Sequence, residues 1–353
     1  MIHILEDILP YISGLYTLPW ILVGFIVTIL IARVTGREKI DKLMKKISLV
    51  LLYCFIPVLI FRIFLNTDFG QEQMVFSLLS ACIIVFMYLL AYGYGRYQAK
   101  KQHLRTPRRN LYLKTVLTNQ GRSSAFIGSA IMAYWNIEAG IFMAFVGIGL
   151  FAVIPYLLSH MHRQEQKQTE RKDQKTALPI FLKLYPWYLI AFVITAVLLH
   201  SQTGLITSDF GDMGIILHFY TALTIPAALY YVGASIHPSD LKLSEMKKLF
   251  GMDTTGEKKE HWSWVRTIFF LTVILTPLCI ICILTPLYLL SLIPGSWYAV
   301  IVINAILPIT STNMFLLPYG IDKKSTAHVV TWTTLVCVPL VVLLIIVFNL
   351  VLP

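Results

Sequence analysis

The sequence predicts an all-α integral membrane protein of ten transmembrane helices, arranged as two inverted five-helix repeats with broken crossover helices in spans 4 and 9. Three observations carry that expectation. The chain is 57% hydrophobic and only 13% charged, against roughly 25% charged in an average soluble domain. Its apolar residues gather into ten segments, each near the ~20 residues that a bilayer requires. Its Lys and Arg residues occupy every second loop.

The apolar segments cover residues 17–34, 47–65, 74–95, 111–134, 139–159, 178–200, 213–236, 264–291, 297–319 and 326–352. They are too long for barrel strands and lack the alternation that strands of a membrane barrel need. The first segment follows Glu6 and Asp7 with no basic residue before it. A cleaved leader has a basic start, so this span is expected to stay.

Charge then sets orientation. Of the 29 Lys and Arg residues, 26 lie in segments 33–46, 96–114, 163–175, 242–266 and 323–324. The intervening loops and the N-terminal end hold Glu6, Asp7, Asp68, Glu72, Glu138, Asp209 and Asp212. The positive-inside rule places the basic loops in the cytoplasm and both termini outside, as in a multi-pass protein of the cell membrane. The net charge of +11 is therefore a signal of topology, with membrane lipid as a secondary contact and no nucleic-acid partner. Arg62 and Lys183 lie near span ends and can snorkel. Cys279 and Cys282 have redox or zinc spacing but no second pair nearby, and read as plain apolar cysteines.

Domain organisation follows from the polar run "HRQEQKQTERKDQK" at 162–175. It divides a first five-helix repeat, 1–160, from a second, 178–353, through a cytoplasmic linker, 161–177. Five spans per half force the halves into opposite orientations, the inverted-repeat layout of secondary transporters. Proline falls mid-span in "IPVLIF" (56–61) and "IPAALY" (225–230), the second span of each half. The fourth span of each half carries the polar interruption: "TNQGRSSAF" (118–126) and "ILPITSTNMF" (306–315). Such paired interruptions are the best sequence pointer to a transporter binding site.

The candidate substrate-binding residues are Arg122 with Asn119, Gln120, Ser123, Ser124, Thr310, Ser311, Thr312 and Asn313. The polar side chains can pair the backbone groups that a broken helix frees. Helix N-termini meeting near the midplane favour an anion. Arg122 lies mid-segment, and no Asp or Glu falls within any of the ten spans. Burying an unpaired arginine there costs at least about 2.5–3.5 kcal/mol. Two readings of Arg122 stand: an anchor for a carboxylate on the substrate, or a structural cation that caps helix carbonyls or reaches an aqueous vestibule. His218 and His328 are the remaining titratable groups in the spans and read as satisfied core or end-of-span histidines. A permanent charge on Arg122 in place of a coupling cation would favour facilitated or exchange transport.

Several stretches resemble the auxin efflux carrier family, within the bile acid, auxin and sodium–proton antiporter-like superfamily. "PAALYYVGASI" (226–236) is similar to that family's span-7 signature, "AFIGSA" (125–130) to its span-4 crossover, and "LPYGIDKKSTAHVVTWTTLVCVPL" (317–340) to its span 9–10 turn. The resemblance implies a scaffold of spans 1, 2, 6 and 7, a moving domain of spans 3–5 and 8–10, an elevator-type cycle and export or exchange of organic anions. It also implies a homodimer through the scaffold. The chain departs from the family at Arg122, Ser123, Ala130 and Asn313, where small residues, asparagine and proline are usual. The expected function is thus a secondary transporter for a small organic anion, with no cofactor and no metal. The alternative is a non-transporting membrane sensor or scaffold that binds a lipid or metabolite. An enzyme is disfavoured, since no catalytic acid, nucleophile–base pair or metal cluster falls in the spans.

Overall fold

The computed structural model describes residue 5 and residues 7–123, 131–132, 134–169, 180–252 and 257–352. Among them the chain is helical. We label α1 Trp20–Thr35, α2 Arg37–Leu65, α3 Gln71–Lys101, α4 Arg108–Thr118, α5 residues 136–169, α6 Ile180–Thr203, α7 Asp212–Ser235, α8 residues 257–289, α9 Gly295–Ile306 and α10 Lys323–Val351. A short helix, Leu243–Leu249, precedes α8, and a 3-10 helix, Ser311–Tyr319, joins α9 to α10.

Helices α2, α3, α7, α8 and α10 are long and apolar enough to cross a membrane, by length and composition. Shorter apolar stretches are Trp20–Thr35, Asn136–Ile148, Trp187–Thr203 and Gly295–Ile306. Outward faces repeat apolar residues at helical spacing, as with Leu22, Ile26 and Leu30 on α1 and Leu78, Val85 and Leu89 on α3, all exposed. Exposed apolar faces of this extent suit a helical membrane protein, where hydrocarbon is the solvent.

Helix α5 runs on to Thr169, through residues that the sequence assigned to the start of the linker. Glu, Gln and Lys are good helix formers, so a polar segment carries the helix past the apolar span. The rest of that linker, 170–177, and the stretch "AFIGSA" lie outside the described residues.

Proline shapes three of the helices in the same way. Wide π turns at Leu51–Phe55, Gly149–Val153 and Leu271–Leu275 each end two residues before a proline: Pro57, Pro155 and Pro277. A proline inside a helix offers no N–H and crowds the carbonyl one turn back. Widening that turn relieves the clash without ending the helix.

The larger helix contacts sort into two groups. In the first, α1 packs on α7, and α2 packs on α6 and α7. In the second, α3 packs on α4 and α5, α8 on α9 and α10, and α9 on α10. Helix α5 joins the groups, against α2 and α6. The α1–α7 crossing is backbone on backbone. A Cβ placed on Gly24 would strike the Tyr230 carbonyl, and one on Gly233 the Ile21 carbonyl. Small residues let membrane helices approach this closely.

On the first group's far end, the Asn66 Nδ2 donates to Thr207 Oγ1 at 2.7 Å, and the Thr207 N–H donates to Asn66 Oδ1 at 2.8 Å. His200 Nε2 meets Asp68 Oδ1 at 2.8 Å beside them. Two of the acids that mark the Lys- and Arg-free loops thus lie near this end, Asp68 in that pair and Asp209 accepting from the Ile206 N–H.

Candidate functional site

Two helices end early and meet. Helix α4 stops at Thr118, where Asn119 and Gln120 turn the chain and Gly121 to Ser123 run extended. Helix α9 stops at Ile306, and residues 307–310 run extended before the 3-10 helix. The extended pieces pair as a short antiparallel bridge between Arg122 and Ile309. The Ser123 N–H donates to the Pro308 carbonyl at 2.9 Å, and the Thr310 N–H to the Gly121 carbonyl at 3.0 Å. Each interruption thereby satisfies backbone groups freed by the other, as buried backbone requires.

Gly121 makes the approach possible. A Cβ there would lie 2.8 Å from Asn313 Oδ1 and 2.9 Å from Leu150 Cδ1. The amide of Asn313 is thus held directly against the first break.

Helix α10 supports both breaks from behind. Asn119 Nδ2 donates to Thr326 Oγ1 at 3.1 Å and to the Thr115 carbonyl at 2.8 Å. The Ile309 N–H donates to Thr333 Oγ1 at 3.2 Å. The Asp322 N–H donates to Thr115 Oγ1 at 2.9 Å, so the start of α10 is fixed to α4 as well. Replacing Thr333 by valine keeps the shape and leaves the buried Ile309 N–H without a partner. We expect a loss of about 1–3 kcal/mol, read as a lower midpoint of thermal unfolding in detergent.

Arg122 lies at the centre of the crossing and is 1% exposed. Its Nε, Nη1 and Nη2 have no hydrogen-bond partner among the described residues. The neighbouring polar side chains share that condition in part. Thr118 Oγ1, Asn119 Oδ1, Gln120 Oε1 and both amide atoms of Asn313 are buried and unpartnered among the described residues. Unsatisfied polar atoms at this density are rare in folded proteins and call for an explanation. A charged group left so is among the costliest.

Arg122, Thr310 and Thr312 line one cavity of about 30 Å³, walled by Leu52 and Ile56 of α2, Met143, Val146, Gly147 and Leu150 of α5, and Tyr185 and Leu189 of α6. Its volume suits a guest of about one or two water molecules. The wide turns at Leu51–Phe55 and Gly149–Val153 both border it. Gln120 faces a second, smaller void with Arg122, Tyr88 and Phe142. The cavity beside Arg122 therefore lies where the two helix groups meet.

The structure brings together Arg122, Thr310, Thr312 and Asn313, and Gln120 shares the smaller void with Arg122. Asn119 gives its Nδ2 to Thr326 and the Thr115 carbonyl and keeps its Oδ1 buried without a partner among the described residues. Ser123 is buried and holds the bridge through its backbone. Thr310 caps the 3-10 helix, accepting from the Thr312 N–H at 3.3 Å, with the two hydroxyls 2.9 Å apart. Ser124 and the side chain of Ser311 lie outside the described residues. Sequence reasoning missed Tyr88, Thr115, Thr326 and Thr333. The threonines gave a signal, since α10 carries Thr326, Thr331, Thr333 and Thr334, all buried. Among the described residues no group of three His, Cys, Asp or Glu side chains could hold a metal ion.

No protein-family model matches the chain, and no curated protein matches it.

Proposed function

We propose that the protein is a secondary transporter for a small organic anion, with Arg122 as the residue that takes the negative charge. The observation that carries this is the guanidinium itself: fully buried, at the crossing of two interrupted helices, with three nitrogens and no partner among the described residues. A carboxylate presents two oxygens to such a fork, the geometry that arginine suits best. Thr310, Thr312, Gln120 and Asn313 supply neutral donors and acceptors for the rest of the guest.

The reading includes ten spans in two inverted repeats, with basic loops in the cytoplasm and both termini outside a cell membrane. The likeness to auxin efflux carriers belongs to it as well, as does a homodimer through the first helix group. The packing of α1, α2, α6 and α7 as one group, joined to the other helices chiefly through α5, supports an elevator-type cycle, in which the second group slides along the first. A cavity of about 30 Å³ is far below the roughly 300 Å³ of ordinary ligand pockets. A carboxylate therefore reaches Arg122 only when α2 and α6 part from α5 and the crossing. Such a gap opens at the same surface along which an elevator moves.

The test is a thermal-shift screen of purified protein against small mono- and dicarboxylates. A ligand that binds only the folded state raises stability by about 2.7 kcal/mol at one hundred times its dissociation constant. At least one carboxylate should raise the midpoint in a saturable way, and Arg122→Lys should keep only part of that rise. A full panel with no shift would oppose the proposal. Saturable binding with no flux in vesicles would favour a sensor.

A further inference from the structure

A second site lies on the other side of Tyr88, whose ring also borders the small void beside Arg122, and its chemistry is that of a lipid. Helices α3, α4 and α5 enclose a groove of about 580 Å³. Toward the middle of the three helices its wall is mainly apolar: Val85, Leu89, Leu113, Leu117, Val153 and Leu157, with the Tyr88 and Tyr92 rings among them. Its other end is polar and basic, with Arg96, Arg109, Asn110 and His160. None of the lining residues is acidic, and the sequence has no Asp or Glu anywhere from residue 73 to residue 137.

The arrangement is sorted by depth. Helix α3 runs from Val85 to Arg96, α5 from Val153 to His160, and α4 back from Arg109 to Leu117. All three place their basic or polar residue at the end next to a Lys- and Arg-rich loop, and their apolar residue toward the middle. Eleven residues of helix separate Val85 from Arg96, about 16 Å at 1.5 Å per residue. Half of a ~30 Å hydrocarbon core is about 15 Å. The groove therefore spans one leaflet, with its cations at headgroup level. Val85, Leu89 and Leu157 are exposed, so the groove opens sideways to hydrocarbon. The Arg96 guanidinium rests over the Tyr92 ring, 5.5 Å from its centroid, which holds it at the mouth. Neither Arg96 nor Arg109 has a carboxylate partner among the described residues.

We propose that this groove binds an anionic phospholipid from the leaflet on the basic-loop side. Its phosphate sits between Arg96 and Arg109, and an acyl chain lies along Leu89, Leu117, Val153 and Leu157. Basic pockets between membrane helices take such headgroups. The assignment to the inner leaflet rests on the orientation proposed above; the site itself does not.

The test uses the full chain in mild detergent, with phosphatidylglycerol and phosphatidylcholine as probes and native mass spectrometry as the readout. Wild type should retain phosphatidylglycerol in preference to phosphatidylcholine. The pair Arg96→Gln and Arg109→Gln should weaken phosphatidylglycerol about tenfold and leave phosphatidylcholine unchanged. Leu157→Trp, which fills the groove and keeps both cations, should also displace the lipid. Inorganic phosphate alone should give no retained adduct. An unchanged lipid preference in the double variant, or phosphate binding as well as the lipid does, would overturn the proposal. Both variants change exposed residues, so thermal unfolding should match wild type in lipid-free detergent.

Discussion

Arg122→Met should raise the stability of the purified protein while abolishing its response to the anion. The two halves of that result have one cause. Arg122 is buried with no partner among the described residues, so its charge is held at a cost. On insertion scales, arginine at mid-membrane costs about 2.5–3.5 kcal/mol, whereas apolar residues are slightly favourable. Methionine has a similar reach and adapts to irregular space. The expected gain is about 3 kcal/mol, seen as a higher midpoint of unfolding in detergent. Removing one partner of a buried charge pair costs about 2–5 kcal/mol in binding, at least about 30-fold in affinity. An arginine that served only to cap carbonyls would give the opposite stability change, because its removal would leave acceptors unpaired. The sign of the shift therefore separates an anion anchor from a structural cation.

Gly233→Ala should be among the most damaging single-methyl changes at the described glycines. The added Cβ would meet the backbone carbonyl of Ile21, and the Phe25 N–H lies just behind it at 3.0 Å. Neither can swing aside as a side chain would, so α1 and α7 must separate. Overpacking of this kind costs about 1–3 kcal/mol and often more. The matching change Gly24→Ala, against the Tyr230 carbonyl, should behave alike. Gly93→Ala is the control. Gly93 lies within α3 with nothing within 4 Å of the new Cβ, so alanine there should be neutral or stabilising by about 0.5–1 kcal/mol. Yield and unfolding midpoint of the purified variants decide the matter. Equal midpoints for Gly233→Ala and Gly93→Ala would show that the α1–α7 crossing is looser than described.

Much of this was legible in the residues. The polar runs at 118–126 and 306–315 mark where α4 and α9 give way to extended chain, because threonine, asparagine and glycine favour turns over helix interior. Arg122 declared itself by having no intramembrane acid to pair with. Other features were not legible. The bridge between Arg122 and Ile309 joins residues far apart in the chain, and no local pattern encodes such a pairing. The bond from Asn119 Nδ2 to Thr326 was not legible either, since an amide's partner depends on which helix lies beside it. Gly233 entered the sequence reading only through a family-like motif, while its physical role is a close helix crossing. Proline in "IPVLIF" reads only as a mark of the repeat, and the wide turns before Pro57, Pro155 and Pro277 were not foreseen. The 3-10 geometry of Ser311–Tyr319, a nine-residue run, is longer than such helices usually are, and nothing in the local sequence marks it.

The most direct measurement is uptake of a stabilising carboxylate by vesicles reconstituted with wild type, Arg122→Lys or Arg122→Met at matched protein density. If Arg122 carries the anion, wild type moves the labelled carboxylate well above protein-free vesicles, the lysine variant moves a fraction of it, and the methionine variant stays at background despite its higher stability. Uptake by Arg122→Met at the wild-type rate would contradict the central claim.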